Sequence, residues 1–175
     1  MKASSGSKLT LAAVALCMLF IAGSVMAAQN AYIYLKIEGS KQGKFAGGNS
    51  DGTITLTDFS YSAMDTSSGM ASGKRMHSSI TIRKEIDKAS PMFAVAVKNS
   101  EVLTNVELDF AKMGPGGKPQ IYKSLVIKNA NISTIHRVMG GDKQEEVITI
   151  SYDPADAIAK DAKGNKTVMD DWMSQ

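Results

Sequence analysis

The sequence is short of the residues that most often carry chemistry. It has one cysteine, Cys17, and two histidines, His77 and His136. Cys17 lies in an N-terminal apolar segment, so the body of the chain has no thiol for a disulfide, a nucleophile or a metal. Neither histidine has a cysteine, histidine or carboxylate neighbour at metal-ligand spacing. The phosphate-loop pattern GxxxxGK[ST] is absent. The adjacent acids Glu145-Glu146 and Asp170-Asp171 would point to opposite faces of a strand and not act as pairs. No convergent set of titratable groups emerges, which argues against an enzyme and implies no cofactor.

An excess of one charge is also lacking. The chain has 20 basic and 17 acidic residues and a pI near 8.9. Lys2 and Lys8 belong to the N-terminal segment, and without them 18 basic residues face 17 acidic ones. A nucleic-acid partner would need a basic face, and only short clusters such as Lys74-Arg75 offer one. The N-terminal apolar run, residues 9–22, is shorter than the roughly 20 residues of a membrane span, and a membrane anchor is the competing reading only if the segment stays helical through Ala28.

The N-terminal segment reads as an export signal. Lys2 and Lys8 form a basic region, residues 9–22 an apolar one, and Gly23-Ser24 breaks it. Val25-Met26-Ala27 puts small residues at −3 and −1, so cleavage is expected between Ala27 and Ala28. Residues 28–175 are then one domain, periplasmic or secreted, free of the membrane once the signal is removed, and without a disulfide.

Within it, apolar residues alternate with polar ones. Residues 32–37 predict a first strand, with Ile33, Leu35 and Ile37 on one face. Residues 39–52 are rich in Gly, Ser and Asn and predict a loop. Residues 53–63 predict a strand whose phase switches near Thr57-Asp58, the mark of a bulge. Residues 78–86 predict a third, with Ile80, Ile82 and Ile86 inward. Four more follow at residues 102–112, 121–128, 132–139 and 147–152, and residues 155–163 suggest a helical turn or two. Residues 167–169 with Trp172 suggest a last short strand. Close-spaced strands with glycine-rich turns predict a mainly β fold, a two-sheet barrel or sandwich with one short flanking α-helix.

That helix should begin in the run Lys84-Glu85-Ile86-Asp87-Lys88-Ala89-Ser90-Pro91. Ser90 is expected as the N-cap, Pro91 at the first helical position, and Asp87 on the side where negative charge is favoured. Residues 92–97 (MFAVAV) have no polar face, so the helix is expected to be buried all round. Residues 64–76 (MDTSSGMASGKRM) are a long polar stretch without periodicity. Three of the chain's 11 methionines, Met64, Met70 and Met76, cluster there, which suits an adaptable contact surface.

The corner residues Lys84, Asp87, Lys88, Ala89, Ser90 and Pro91, with the strand before and the apolar helix after, resemble the haemolysin-coregulated protein (Hcp) family of type VI secretion. Tyr34-Leu35-Lys36-Ile37-Glu38-Gly39 looks like that family's opening strand, and Trp172 like its late aromatic. The resemblance implies a subunit that assembles as a six-membered ring, with rings stacking into a tube that carries or shelters effector proteins. Partners would be other copies of the chain, effectors and further secretion components. It also implies that the loop holding Met64, Gly69, Met70, Gly73, Lys74, Arg75 and Met76 reaches a neighbouring subunit or ring. The export signal departs from the family pattern. A second class stays open: a monomeric exported β-barrel binding a small ligand or surface glycan, in a pocket lined by Tyr32, Tyr34, Phe59 and Tyr61.

Overall fold

The computed structural model describes residues 31–62 and 78–167. The N-terminal segment with Ala27 and Ala28, the whole stretch 64–76, and Trp172 lie outside the described residues.

The strands are β1 (Ala31–Gly39), β2 (Gly43–Lys44), β3 (Ile54–Leu56), β4 (Asp58–Ser62), β5 (Ser78–Glu85), β6 (Val102–Met113), β7 (Pro119–Ile127), β8 (Ala130–Gly140), β9 (Lys143–Tyr152), β10 (Ala157–Asp161) and β11 (Lys166–Thr167). Among the described residues, one α-helix, α1 (Ser90–Lys98), joins β5 to β6. The mainly β architecture with a short flanking helix is, among the described residues, as the sequence predicts.

All pairings are antiparallel and they close a barrel. β6 pairs along its length with β1, and β1 with β3. β4 pairs with β5, β5 with β9, and β9 with β8. The first residues of β8 return to β6, at Asn131 opposite Val102 and Ala130 opposite Leu103. The predicted phase switch near Thr57 is the joint between β3 and β4. There the strand leaves one sheet for the other, pinned by the Thr57 N–H donating to the Arg83 carbonyl at 2.8 Å. Strands β7, β10 and β11 extend the β1–β6 sheet outward.

Alternation fills the interior. Leu35, Ile54, Ile80, Ile82, Leu108, Leu125, Ile148 and Ile150 are fully buried. Helix α1 lies along β8 and contributes Phe93, whose ring meets Phe45 edge-on at 5.2 Å. Full burial of a phenylalanine is worth about 1.5–3 kcal/mol relative to exposure.

Four local expectations are corrected. The stretch 39–52 is not all loop: it contains β2, and Phe45 beside it is 2% exposed. Residues 155–163 are not helical beyond one 3-10 turn at Pro154–Asp156; Ala157–Asp161 is a strand, because Ala159 alternates into the core. Ile86 lies beyond the end of β5 and is 39% exposed, while Lys84 takes the inward position. Helix α1 buries one face only, through Ser90, Phe93 and Ala96, and Val95 is 42% exposed.

Candidate functional site

The corner between β5 and α1 is organised by a buried charge. Lys84 is in phase with Ile80 and Ile82, so its side chain enters the interior, where it is 0% exposed. A buried ammonium needs acceptors for all its protons. They come from both sides of the corner: the Glu85 carbonyl at 2.7 Å, Asp87 Oδ1 at 2.8 Å, and Ser90 Oγ at 3.0 Å. Glu146 Oε2 stands at 3.5 Å from the neighbouring strand, and the Phe93 ring lies 5.7 Å below. Glu146, itself 1% exposed, is shared with Arg137 of β8 at 3.4 Å. Register makes this arrangement inevitable, since Lys84 faces Glu146 across β5–β9 and Glu146 faces Arg137 across β9–β8.

The other motif residues follow from that centre. Asp87 Oδ1 also accepts from the Ala89 N–H at 2.9 Å and so shapes the turn into the helix. Ala89 is fully buried, and its carbonyl accepts from Phe93 in the first turn. Lys88 points to solvent. Ser90 is not the N-cap, which is Ala89, and no side chain caps the helix. The Ser90 hydroxyl is turned back instead, accepting from the Asp87 N–H and from Lys84. Pro91 is exposed and, lacking an N–H, still suits the first turn. Glu145 takes the opposite face from Glu146, as adjacent residues on a strand must, and meets Arg83 at 3.5 Å.

A second anchor holds the far end of α1. Glu101, 2% exposed, accepts from the N–H groups of Lys41 and Gln42 at 2.6 and 2.8 Å and from the Gln42 amide at 2.8 Å. That amide also donates to the Met92 carbonyl, tying the β1–β2 turn to the helix. Burial works against the Glu101 charge, but the donors of Gln42 and Lys41 outweigh it and hold the carboxyl below its ordinary range. Gly39 leaves the room: a Cβ there would stand 2.4 Å from Glu101 Oε1. Glu101 did not stand out in the sequence, and Glu146 stood out only as half of an acidic doublet with no partner. The one available signal was Lys84 in an inward phase, which demands an acid on the adjoining strand.

The four aromatics proposed for a ligand pocket do not converge. Tyr32 and Tyr34 stack on the outward face of β1, with ring centroids 6.4 Å apart. Phe59 and Tyr61 oppose Ile82 and Ile80 and pack against the core, and Phe59 meets Phe110 edge-on. Of the four, only Tyr34 lines the open cleft on the outer β1 face, with Lys36, Asn49, Asp51, Thr53 and Asp109. Lys36 binds Asp109 at 2.7 Å, and that hydrogen bond, against the cost of desolvation, raises the lysine pKa. Residues 48–52 (GNSDG) have the G-x-S-x-G spacing of a nucleophile elbow, but they form a surface loop before β3 with no helix following.

Comparison with known proteins agrees with this fold. Residues 34–157 match the sequence model of the family described as "Type VI secretion system effector, Hcp". The chain is 28% identical over 122 residues to the major exported protein of Pseudomonas aeruginosa, covering 61% of this chain and 71% of that one. Among solved structures it resembles the secreted protein Hcp3 from Pseudomonas aeruginosa, with a TM-score of 0.64, 22% identity, and coverage of 78% of this chain and 95% of the other. A crystal structure of an Hcp protein gives 0.63 at 21% identity, over 78% and 96% of the two chains. These structural likenesses show the fold. The sequence match, which spans both the opening strand and the corner from Lys84 to Pro91, shows the family: the chain is a member of the Hcp family of type VI secretion proteins.

Proposed function

We propose that this chain is the structural subunit of a six-membered ring whose copies stack into a tube, and that the tube carries or shelters effector proteins. The family match over residues 34–157 is the observation that carries this reading. The closed barrel is a rigid block suited to repetition, and a head-to-tail ring needs complementary patches on one subunit and no separate active site. The role is structural, not enzymatic. In this reading residues 1–27 direct export, with cleavage between Ala27 and Ala28. Residues 28–175 form the single ring-building domain, periplasmic or secreted. The loop bearing Met64, Gly69, Met70, Gly73, Lys74, Arg75 and Met76 makes contacts between subunits or rings. The family corner (Lys84, Asp87, Lys88, Ala89, Ser90, Pro91) fixes the helix on the barrel and touches no cargo.

Native mass spectrometry of the purified protein, with negative-stain images of the same sample, tests the reading. A six-subunit species seen as rings is expected. A monomer over a wide concentration range would overturn it.

A further inference from the structure

Register gathers three separate parts of the chain at one end of the β1–β6–β7–β10 sheet. β1 begins there, with Ala31 opposite Lys112. The β6–β7 hairpin turns there, with Met113 opposite Pro119. β10 runs out to the same end, with Asp161 opposite Lys123, and turns back into β11. The lysines of this end are Lys112, Lys118, Lys123, Lys160, Lys163 and Lys166, and each reaches the surface. Residues 111–128 contain no acid, and residues 157–167 contain only Asp161. Its carboxylate is turned onto its own hairpin, accepting from the Lys163 and Asn165 N–H groups at 2.8 Å and from the Asn165 amide at 2.9 Å.

The same β6–β7 hairpin carries two large exposed apolar side chains, Met113 at 48% and Ile121 at 52% exposure. Beside them the Tyr122 ring has Lys112 Nζ at 5.4 Å and Lys123 Nζ at 6.0 Å. The tip is a tight turn, with the Gly114 N–H donating to the Lys118 carbonyl at 2.9 Å. Asp51, which shares a cleft with Pro119 and Ile121, has its Oδ1 on Thr53. The β8–β9 hairpin differs. Met139 is exposed there, but Asp142 follows it and Lys143 is paired with Glu85 at 2.6 Å.

We infer that this end of the sheet docks on a membrane surface bearing anionic lipids. Exposed apolar side chains flanked by lysines bind such a surface by two terms together. Met113 and Ile121 enter the headgroup layer, and the lysines meet its negative potential. Tyr122, apolar with a polar tip, suits the same layer. All six cations are lysines, hydrated point charges that answer a diffuse field and need no paired partner geometry. The place where β1 starts is an independent argument. The apolar run at residues 9–22 ends nine residues before Ala31, a reach of at most about 30 Å. While that run sits in a bilayer, this end of the domain stays close to it. The contact is peripheral, and it departs from the expectation that residues 28–175 are free of the membrane. It holds for a single chain; in a ring, copies of one end share a plane about the axis and act together.

A local probe tests this on the full chain. In a Cys17→Ser background, Pro115→Cys at the hairpin tip and Lys98→Cys near the other end of β6 each take a nitrobenzoxadiazole label. Vesicles of phosphatidylcholine with phosphatidylglycerol should shift the Pro115→Cys emission to the blue and leave Lys98→Cys unchanged. Phosphatidylcholine alone should have little effect. Lys112→Glu/Lys118→Glu and Met113→Ser/Ile121→Ser change exposed side chains, so the fold is kept. Each pair should raise the lipid concentration for half the shift at least about tenfold. The N-terminal segment is common to all these proteins, so differences among them report on the hairpin. No shift at Pro115→Cys, an equal shift at Lys98→Cys, or indifference to both double variants would overturn the inference. A shift with soluble polyphosphate and none with vesicles would overturn it too, and assign this end to a dissolved polyanion.

Discussion

Lys84 and Glu146 face each other across adjacent strands, both shut off from solvent, with Nζ to Oε2 at 3.5 Å. Glu146 is the partner that the chain supplies from 62 residues away. The pair therefore joins the β5–α1 corner to the β8–β9 hairpin. Removing one member of such a pair strands the other. Glu146→Ala is expected to lower stability by about 3–5 kcal/mol, and the double variant Lys84→Met/Glu146→Leu to recover much of it. Urea unfolding midpoints of the parent and the two variants check this. Equal losses in the single and double variants would show that the charges are not coupled.

Phe93 is the helix's main hold on the barrel. Phe93→Ala should cost about 3–5 kcal/mol, since the neighbouring Phe45 and the strand residues close only partly over the gap. Val95→Ala, on the exposed face of the same helix, should stay within about 0.5 kcal/mol. Thermal unfolding of both proteins separates the buried face from the free one. Similar losses would mean that Val95 is covered.

The Glu101 anchor carries a pH signature. Its folded pKa lies below the ordinary value of 4.5, so its contribution is complete above that value and fades as pH falls through the folded pKa. Glu101→Gln should be less stable than the parent at neutral pH, and the gap should close in strong acid. Urea midpoints measured from pH 7 to pH 2 would show this convergence. Parallel curves would mean that Glu101 contributes shape and not charge.

The loop at residues 64–76 is predicted to act between subunits and not within one. Replacing residues 69–75, which include Gly69, Met70, Gly73, Lys74 and Arg75, by a short turn should leave the melting temperature unchanged. It should shorten or abolish stacks of rings in electron micrographs. Stacks of unchanged length would assign the loop another role.

Alternation made much of this fold legible. Residues 32–37, 78–85 and 102–112 alternate because one face of each strand is buried, and the strand assignments there agree with the structure. The break near Thr57 was visible as a change of phase and read as a bulge, whereas it is the joint at which the chain moves between sheets. Phe45 was hidden because an isolated aromatic among glycines has no period to betray it. The helical reading of 155–163 failed because its alanines have high helix propensity, and pairing with β7 overrode it. Ser90 was recognised as important for the wrong bond. Local sequence offered an N-cap, and the buried ammonium of Lys84, placed by tertiary structure, took the hydroxyl instead. The Glu101 clamp joins residues 59 and 60 positions apart, a distance over which sequence pattern is silent.

The joint at Thr57 has a consequence for how the chain acquires its structure. Because one strand serves both sheets, neither sheet is complete until both are. β5 finds its second neighbour only when Ile148 and Ile150 are available, and β1 finds β6 only after Leu108 and Phe110. Such non-local closure is slow compared with local hairpin or helix formation. A chain threaded N-terminus first through a narrow pore would thus remain an open polymer through most of its passage. The topology that makes the finished barrel rigid also delays its completion until the last strands have emerged.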